Sequence, residues 1–282
     1  MVAEPIDLRF QGAERVIASY LLDTEDGPAL FDCGPSTCVE RLKEGLRARG
    51  LRLTDVRHLL VSHIHLDHAG AAGVLVREHP ELLVHVSEIG APHLVDPARL
   101  EASARRLYGD AFDVLWGELA PVPEENIRPV GDRVLGFDCF PSPGHASHHV
   151  VYVDGGGTAY CGDAAGVRIQ PRQLVLPPTP PPEFDLDGWH RTTDELERRQ
   201  PQELVLVHFG VVDDPLPHLR SLRARLDAWV GRDGMSEEEF IAAAQDEIRA
   251  EDPVAIDEYE RAMPLWQSYA GLKRFWQKQD RG

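Results

Sequence analysis

The segment Ser62-His63-Ile64-His65-Leu66-Asp67-His68-Ala69-Gly70 places three imidazoles and one carboxylate within six consecutive positions. The apolar run Leu59-Leu60-Val61 just before it is typical of a buried strand, so the four polar side chains follow a strand end. Neutral imidazole nitrogen and carboxylate oxygen are the usual donors to a borderline metal ion. A solvated polar loop is the alternative, but Ile64 and Leu66 alternate with the polar residues and would anchor the segment to a core. The segment therefore predicts a metal site.

The composition is that of a globular protein: 282 residues, 43% hydrophobic and 27% charged, enough for one large domain with an appendage. We expect a cytoplasmic protein without a membrane partner, because no run approaches about 20 apolar residues and Met1-Val2-Ala3-Glu4-Pro5 lacks the features of a secretory signal. The net charge of −18 argues against a nucleic-acid partner. The cysteines lack paired metal spacing and are expected to be reduced: Cys33, Cys38, Cys139 and Cys161.

Predicted strands fall into two groups along the chain. Those of the first group cover residues 15–22, 28–32, 56–62 and 82–87. Those of the second group cover residues 133–140, 148–154, 158–162 and 203–208. Helices are predicted over residues 36–49 with Ser36 as the cap, over 69–79 and 186–199, and over most of 88–125 and 216–279. Two groups of strands with helices beside them predict two sheets packed face to face, with the helices outside.

Three further ligand-type residues follow or end apolar strands: His145, Asp163 and His208. Taken singly, each is more typical of a structural residue than of a metal ligand. Strand ends on one edge of a sheet meet in space, however. Four strand ends that all lead into metal-ligating residue types therefore predict one shared site.

This arrangement resembles the metallo-β-lactamase superfamily. The matching residues are the HxHxDH segment, His63, His65, Asp67 and His68, followed by His145, Asp163 and His208, with Asp32 in the position of the early strand-end aspartate. The resemblance runs from about Val16 to Phe209 and implies an α+β fold, the αββα four-layer sandwich, with a dinuclear metal site at the sheet edge. By analogy, one metal has the ligands His63, His65 and His145. The second has Asp67, His68 and His208, and Asp163 bridges the two.

The residue types are consistent with that chemistry. Seven ligands, two of them carboxylates, can hold two divalent ions roughly 3.5–4 Å apart with a bridging water that is hydroxide near neutral pH. Asp67 is a candidate catalytic residue that would also orient the nucleophile, and Asp32 is expected to orient a ligand histidine rather than to bind metal. The helix predicted to begin near Ala69 would direct its positive end at the site.

Within the superfamily, the chain is closer to small-molecule hydrolases than to nucleases, which carry a large inserted domain and basic surfaces. The segment from Pro143 to His149 resembles the PGH(T/A)xGH segment of glyoxalase II and lactonase relatives, with His148 in the glycine position. His149 matches the final histidine and is favoured over His148 for a supporting role, since adjacent strand residues face opposite sides. Asp163 is not followed within a few residues by the tyrosine of quorum-sensing lactonases.

We therefore predict a metal-dependent hydrolase with two divalent ions, zinc before iron or manganese. A hydroxide bound to the dinuclear centre would attack the carbonyl of an ester, thioester or lactone in a small-molecule substrate. One alternative is a mononuclear iron enzyme similar to persulfide dioxygenases. The other is a non-catalytic binding protein on the same fold.

The predicted organisation is a metallo-β-lactamase-like domain over residues 1–230, with a helical insertion at about 88–125, and a C-terminal helical extension over 231–282. The insertion falls between the two ligand-bearing halves, so we expect it to overhang the cleft and to influence substrate choice. For the extension we expect packing against the sandwich or a homodimer contact.

Overall fold

Within residues 4–279, which the computed structural model describes, twelve strands form two six-stranded sheets. The first sheet contains, in spatial order, β1 (Pro5–Asp7), β2 (Ala18–Thr24), β3 (Gly27–Phe31), β4 (His58–Leu60), β5 (Leu83–Val86) and β6 (Ile127–Pro129). The second sheet has the order β12-β11-β10-β9-β8-β7 and contains β7 (Arg133–Val134), β8 (Phe137–Pro141), β9 (Val150–Val153), β10 (Thr158–Gly162), β11 (Glu203–Leu206) and β12 (Gly210–Val212).

The helices lie before, between and after these strands. They are α1 (Val39–Ala48), α2 (Leu66–Ala69), α3 (Ala72–Glu78), α4 (Ala91–Val95), α5 (Ala98–Tyr108), α6 (Phe112–Leu115), α7 (Leu186–Arg199), α8 (Pro215–Val230), α9 (Glu237–Glu251), α10 (Ile256–Ala262) and α11 (Leu265–Gln279). None of the helices in the described part of the chain combines the length and the apolar character that a bilayer crossing requires.

The first sheet combines a hairpin with parallel crossovers. Strands β2 and β3 pair antiparallel, whereas β3, β4, β5 and β6 run parallel. Parallel neighbours need a long connection, and α1 and α3 lie in the crossovers from β3 to β4 and from β4 to β5. The carboxyl ends of β3 and β4 therefore lie side by side at one edge, with Asp32 and the histidine segment directly after them.

Aromatic residues fill the space between the sheets. The ring of Phe31 meets Tyr152 and Tyr160 edge-on, at centroid distances of 6.0 and 5.5 Å. Two tyrosine hydroxyls cross from one sheet to the backbone of the other: Tyr20 donates to the carbonyl of Leu206 at 2.6 Å, and Tyr152 to that of Val61 at 2.8 Å. These buried contacts fix the offset between the sheets, so ligand-bearing loops from both sheets meet at a defined position.

The predicted α+β sandwich is confirmed, but one predicted strand and two predicted helices differ from the structure. Residues 133–140 form a hairpin of β7 and β8 instead of one strand, because Leu135 and Gly136 have φ values of 49° and 87° and reverse the chain. The helix expected at residues 36–49 begins only at Val39. The Ser36 hydroxyl donates to the carbonyl of Trp116 at 2.8 Å and does not cap the helix.

The helix predicted over residues 69–79 is two pieces, α2 and α3, with the break at Gly70 and Ala71. A Cβ atom at Gly70 would clash with the carbonyl oxygen of Leu66 and lie 3.2 Å from the Cα of Pro35, so this position needs glycine. The predicted contribution of a helix dipole is also wrong, because the helix at the histidine segment is the four-residue α2, which has too few aligned peptide units.

The C-terminal helices share a hydrophobic core with the sandwich. Phe240, Tyr259 and Trp276 are buried in the same cluster as the residues between the sheets. Arg172 joins the sandwich side to the extension through ion pairs with Asp252 at 2.8 Å and with Glu258 at 2.5 Å. Packing of the extension is thereby confirmed, while the domain boundary near residue 230 stays a prediction.

Candidate metal centre

The segment after β4 carries the first ligand-type side chains into the space between the sheets. Its start is fixed because the backbone N–H of Ser62 donates to Asp32 Oδ1 at 2.7 Å. Ile64 and Leu66 are buried and hold the segment to the core, as their alternation with the polar residues predicts. Between them, His65 turns towards its neighbour, and Nε2 of His63 lies 2.9 Å from Nδ1 of His65.

His145 reaches the same point from the loop after β8. Gly144 precedes it with φ 128°, and a Cβ there would lie 2.4 Å from the backbone nitrogen of Trp189 in α7, so glycine allows this close approach. Nδ1–H of His145 donates to the carbonyl of Pro178 at 2.9 Å, which leaves its Nε2 lone pair facing Nδ1 of His65 at 2.9 Å. Three imidazole nitrogens, those of His63, His65 and His145, therefore converge.

A second group lies beside the first. Nδ1–H of His68 donates to Asp32 Oδ2 at 2.7 Å, and Nδ1–H of His208 donates to the carbonyl of Val16 at 2.6 Å. The opposite ring nitrogens face Asp67, whose Oδ2 lies 3.7 Å from Nε2 of His68 and 3.3 Å from Nε2 of His208. In each imidazole the outer hydrogen bond occupies Nδ1, so Nε2 is the nitrogen that would bind a metal, as is usual for a metal-binding histidine.

Asp163, at the end of β10, lies between the two groups. Its Oδ2 is 3.3 Å from Nε2 of His145, and its Oδ1 is 3.3 Å from Nε2 of His68 and 3.6 Å from Nε2 of His208. Donor atoms lie within 4.8 Å of one another in three overlapping sets: His63, His65 and His145; His63, His68 and Asp163; Asp67, His68 and His208. All seven predicted ligands thus meet in one place.

Two buried atoms of this cluster test whether a cation fits. Nε2 of His68 and Oδ1 of Asp163 have no hydrogen-bond partner within residues 4–279. An unsatisfied buried polar atom costs about 1–3 kcal/mol and is rare in native proteins. The two atoms face each other at 3.3 Å, and a divalent cation in place of a ring proton would satisfy both. The residues fit a metal.

The electrostatics divide the cluster in the same way as the geometry. Burial and the neighbouring imidazoles lower the pKa of His63 well below its usual range, so the ring is neutral near pH 7. Burial disfavours a charge on His68 as well, but the carboxylates of Asp163, Asp67 and Asp32 outweigh it and raise the pKa of His68. Burial likewise opposes ionisation of Asp67, and the facing rings of His68 and His208 overcome it and lower the pKa of that carboxyl to about 2.

The adjacent residues His148 and His149, which follow His145 in the chain, face opposite ways. His149 lies behind Asp163: its Nε2 accepts the backbone N–H of Asp163 at 3.2 Å, and its Nδ1–H donates to the hydroxyl of Ser142 at 2.7 Å. His148 faces the other way, accepts the N–H of Ile64 at 3.4 Å and lines a cavity above the cluster. Sequence reasoning favoured His149 for support and did not anticipate that His148 faces the cavity.

That cavity has a volume of about 610 Å³, and His65, Asp67 and Asp163 form part of its floor. One wall comes from the insertion, including Tyr108 and Trp116, as the position of residues 88–125 in the chain predicts.

The opposite wall includes Met263 and Gln267 of the C-terminal extension, which sequence reasoning missed. No local signal separates these positions from ordinary helix packing. The two walls touch where Gln267 Nε2 donates to the hydroxyl of Tyr108 at 3.1 Å.

A sequence profile of the metallo-beta-lactamase superfamily matches residues 12–208. The chain belongs to that superfamily. The matched region contains Asp32 and every ligand-type residue described above, from His63 to His208. The predicted family and the sandwich fold are confirmed.

Curated relatives match parts of the chain. The lactamase-like protein adaB of Aspergillus niger is 32% identical over 129 residues, which are 42% of this chain and 39% of adaB. The probable metallo-hydrolase Rv2300c of Mycobacterium tuberculosis is 28% identical over 174 residues, which are 51% of this chain and 55% of that protein. The matched regions thus span about half the length of these relatives, or less.

Solved structures share the fold, and the first two are named as metallo-beta-lactamase family or superfamily proteins. The protein TTHA1429 from Thermus thermophilus has a TM-score of 0.66 at 20% identity, covering 94% of this chain and 89% of that one. The archaeal protein ST1585 from Sulfolobus tokodaii has a TM-score of 0.63 at 20% identity, covering 79% and 83%. TTHA1623, crystallised in a di-iron-bound form, has a TM-score of 0.57 at 26% identity, covering 73% and 93%.

Proposed function

We propose that this protein is a dinuclear metal hydrolase that cleaves the carbonyl–oxygen or carbonyl–sulfur bond of an ester, thioester or lactone in a small molecule. The observation that carries the proposal is the pair of buried, unsatisfied atoms, His68 Nε2 and Asp163 Oδ1, between two groups of converging ligand atoms. A single ion at either group would leave part of this acceptor cluster without a partner.

In this proposal His63, His65 and His145 hold one ion, and Asp67, His68 and His208 hold the other. Asp163 reaches both, because its two oxygens face different groups. When bound, two divalent ions supply a water-derived nucleophile near neutral pH and polarise the carbonyl oxygen. Imidazole nitrogen with carboxylate oxygen favours zinc, and the di-iron form of TTHA1623 makes iron its main competitor.

The side chains of this chain position the reactants. Asp67 lies on the cavity floor and stays ionised, so its carboxylate is placed to accept a hydrogen bond from the attacking water and to orient it. Asp32 holds the ring of His68 through Nδ1. The cavity above them is in the size range of small-molecule sites, and its walls reduce the access of bulk water to the reacting carbonyl.

The test combines metal analysis with an activity screen. Protein loaded separately with zinc, manganese and iron is analysed for metal per chain and assayed on aryl esters, thioesters, lactones and phosphodiesters. We expect two ions per chain and hydrolysis of at least one carbonyl class, lost with a chelator and restored by zinc. Asp163→Ala should be inactive, and Asp23→Asn, at an exposed strand aspartate, should match the wild type.

Two outcomes would contradict the proposal. One iron per chain, with oxygen consumption on glutathione persulfide, would identify a dioxygenase. Full loading with two ions and no turnover on any substrate of the panel would indicate a binding protein on an inherited fold.

A further inference from the structure

We propose that the cavity selects an amphipathic organic anion: an ester or thioester with a bulky apolar acyl body and a negatively charged group at its far end. The apolar body would lie against the aromatic wall, and Arg99 and Arg106 would bind the anion at the mouth. The reaction in this statement rests on the proposed function, whereas the ligand class rests on the cavity alone.

Helix α5 faces the cavity with two adjacent rows of side chains. The inner row contains Leu100, Ala104 and Leu107, and the outer row contains Arg99, Ser103 and Arg106. Spacings of three and four residues keep each row on one side of the helix. The inner row is buried or half-buried and the outer row is exposed, so polarity rises from the interior of the cavity towards its mouth.

The inner part of this wall is aromatic. Trp116 stacks on Phe10 with a centroid distance of 5.5 Å, and Tyr108 meets Trp116 edge-on at 5.0 Å. The Tyr108 hydroxyl accepts a hydrogen bond from Gln267 and has no acceptor for its own proton among residues 4–279, so it can donate to a ligand. A flat apolar wall with one free donor suits an extended or ring-bearing acyl group that also carries a polar atom.

The arginine side chains at the mouth of the cavity have no ion-pair partner among the described residues. Within the described residues no carboxylate lies within 4.0 Å of the guanidinium of Arg99, Arg106 or Arg261, all of which line the cavity. Their neighbour Arg105, by contrast, is paired with both Glu101 and Asp113.

Apart from the candidate ligands, two carboxylates line the cavity in the described part of the chain, and both are already engaged. Glu183 accepts from the N–H and the hydroxyl of Ser147 at 2.9 and 2.7 Å. Glu260 accepts from the backbone N–H of Leu265 and from Gln245, both at 3.1 Å. Both carboxylates keep their charge but are held by neutral donors, whereas within the described residues no carboxylate holds Arg99 or Arg106, so these two cations are available to an anionic ligand.

This local charge opposes the rest of the molecule. The whole chain carries a net charge of −18, so its field repels anions except where cations are concentrated. Arg99 and Arg106 are seven residues apart, about 10 Å along the helix axis. Both lie in the exposed outer row of the helix, so they suit the end of an elongated ligand that reaches the mouth, and guanidinium pairs well with carboxylate and phosphate alike.

Binding measurements test the ligand class. Three probes separate the contribution of the apolar body from that of the anion. Octanesulfonate carries the apolar body and an anion, 1-octanol carries the body alone, and methanesulfonate the anion alone. By calorimetry on the zinc-loaded protein we expect octanesulfonate to bind at least about tenfold more tightly than either partial probe. Raising the salt concentration from 50 to 500 mM should weaken the binding of octanesulfonate and leave the binding of 1-octanol unchanged.

Variants show which residues bind the anion and which bind the apolar body. The double variant Arg99→Gln and Arg106→Gln should bind octanesulfonate about tenfold more weakly than the wild type, with an affinity equal to that for 1-octanol. The double variant Arg99→Lys and Arg106→Lys should retain most of the wild-type affinity. Leu107→Gln should weaken both octyl probes. Arg220→Gln is the matched control, since Arg220 is exposed on α8, away from the cavity, and has no carboxylate partner in the described range. These arginines are exposed, so their replacement should leave the fold intact.

Hydrolysis then identifies the source of the anion. S-ethyl thioesters of 10-carboxydecanoic acid, of 10-phosphonooxydecanoic acid and of neutral undecanoic acid are compared, and a preference for the first or the second indicates a carboxylate or a phosphate. Equal affinity for octanesulfonate and 1-octanol, or no effect of the arginine variants, would overturn the inference. Selective binding without hydrolysis of any ester, thioester or lactone would instead overturn the proposed function and leave the ligand class standing.

Discussion

The floor and the walls of the cavity are built in different ways. On the floor, each of three candidate ligand rings is held from behind by a hydrogen bond: His68 by Asp32, His145 by the carbonyl of Pro178 and His208 by the carbonyl of Val16. The walls come largely from helices of the insertion and of the extension. They meet through ring contacts and the Tyr108–Gln267 hydrogen bond, and many of their side chains are exposed or half-buried.

This difference between floor and walls suggests that the floor determines the chemistry and the walls determine the substrate selectivity. A buried ligand ring that a hydrogen bond holds from behind has no alternative orientation, so a change on the floor should disturb metal binding. A wall side chain that contributes mainly apolar surface can change size or polarity at a smaller cost. Floor variants should therefore alter metal content and kcat, and wall variants should alter KM and substrate preference.

The largest effect is expected for Asp163→Ala, because the two oxygens of this carboxylate face both groups of ligands. Both ions should bind more than about 100-fold more weakly, since the loss of a direct ligand exceeds the 10–100-fold cost of losing a residue that only supports one. Equilibrium dialysis with zinc measures this. Retention of two ions with full activity would show that Asp163 does not bridge.

Next come the single imidazoles. His68→Ala and His208→Ala should remove chiefly the ion near Asp67, whereas His63→Ala should remove chiefly the ion near His65 and His145. Elemental analysis gives the stoichiometry, and the absorption spectrum of a cobalt-substituted protein distinguishes the two environments. Equal loss of both ions in all three variants would mean that the groups do not bind independently.

Asp32→Asn tests the support of the floor without removing a ligand. Asp32 is fully buried and accepts from Nδ1 of His68, the N–H of Ser62 and the hydroxyl of Ser62, each at 2.7 Å. An amide presents one acceptor fewer and no charge, so metal affinity should fall about 10–100-fold while the cavity keeps its shape. Unchanged affinity would exclude a positioning role, and thermal unfolding separates that role from a general loss of stability.

Low pH should affect the floor and the walls together, because it lowers the free energy of unfolding of the whole fold. Burial, the ring of His58 at 3.1 Å and the nearby Arg128 lower the pKa of His85 to about 4. The folded state resists protonation there while the unfolded chain does not, so stability present above pH 6.5 is lost as the pH falls towards 4. The free energy of unfolding should drop by about 2 kcal/mol between pH 7 and 5 from this group.

Urea titrations of the wild type and of His85→Gln at both pH values measure that contribution. The pH dependence should be shallower in the variant. Parallel curves would mean that His85 is accessible to protons in the folded state.

The smallest effect is expected on the wall. Trp116→Leu should raise KM for a long-chain ester several-fold by removing apolar contact area, with kcat and metal content unchanged. An acetyl ester, too short to reach the wall, serves as the control and should show no change. A fall in kcat for both esters would mean that wall and floor are coupled.

The floor could be predicted because its signal is local. His63, His65, Asp67 and His68 share one short segment, and His145, Asp163 and His208 each end or follow a strand, so topology alone brings them together. The strands and most helices follow from apolar periodicity and from the glycine and proline breaks. The hairpin at Leu135 was missed because leucine is not a usual residue for a left-handed turn position.

The walls could not be predicted from the sequence in the same way. Leu100 and Leu107 show the same helical spacing whether the face they share packs on a core or lines a cavity. Placement of Met263 near Tyr108 depends on how α8 to α11 return to the sandwich, and no short-range pattern encodes that path. Likewise His148 and His149 are adjacent, and only the register of β9 decides which of them faces the cavity.

The contact between Tyr108 and Gln267 has an evolutionary consequence. These residues are separated by 159 positions in the chain, yet one hydrogen bond joins the two added segments over the histidine-rich floor. A homologue that replaces Tyr108 by a residue without a hydroxyl leaves the amide of Gln267 without its acceptor. Positions 108 and 267 should therefore change as a pair when descendants of this chain acquire new substrates, while the histidine segment beneath them stays the same.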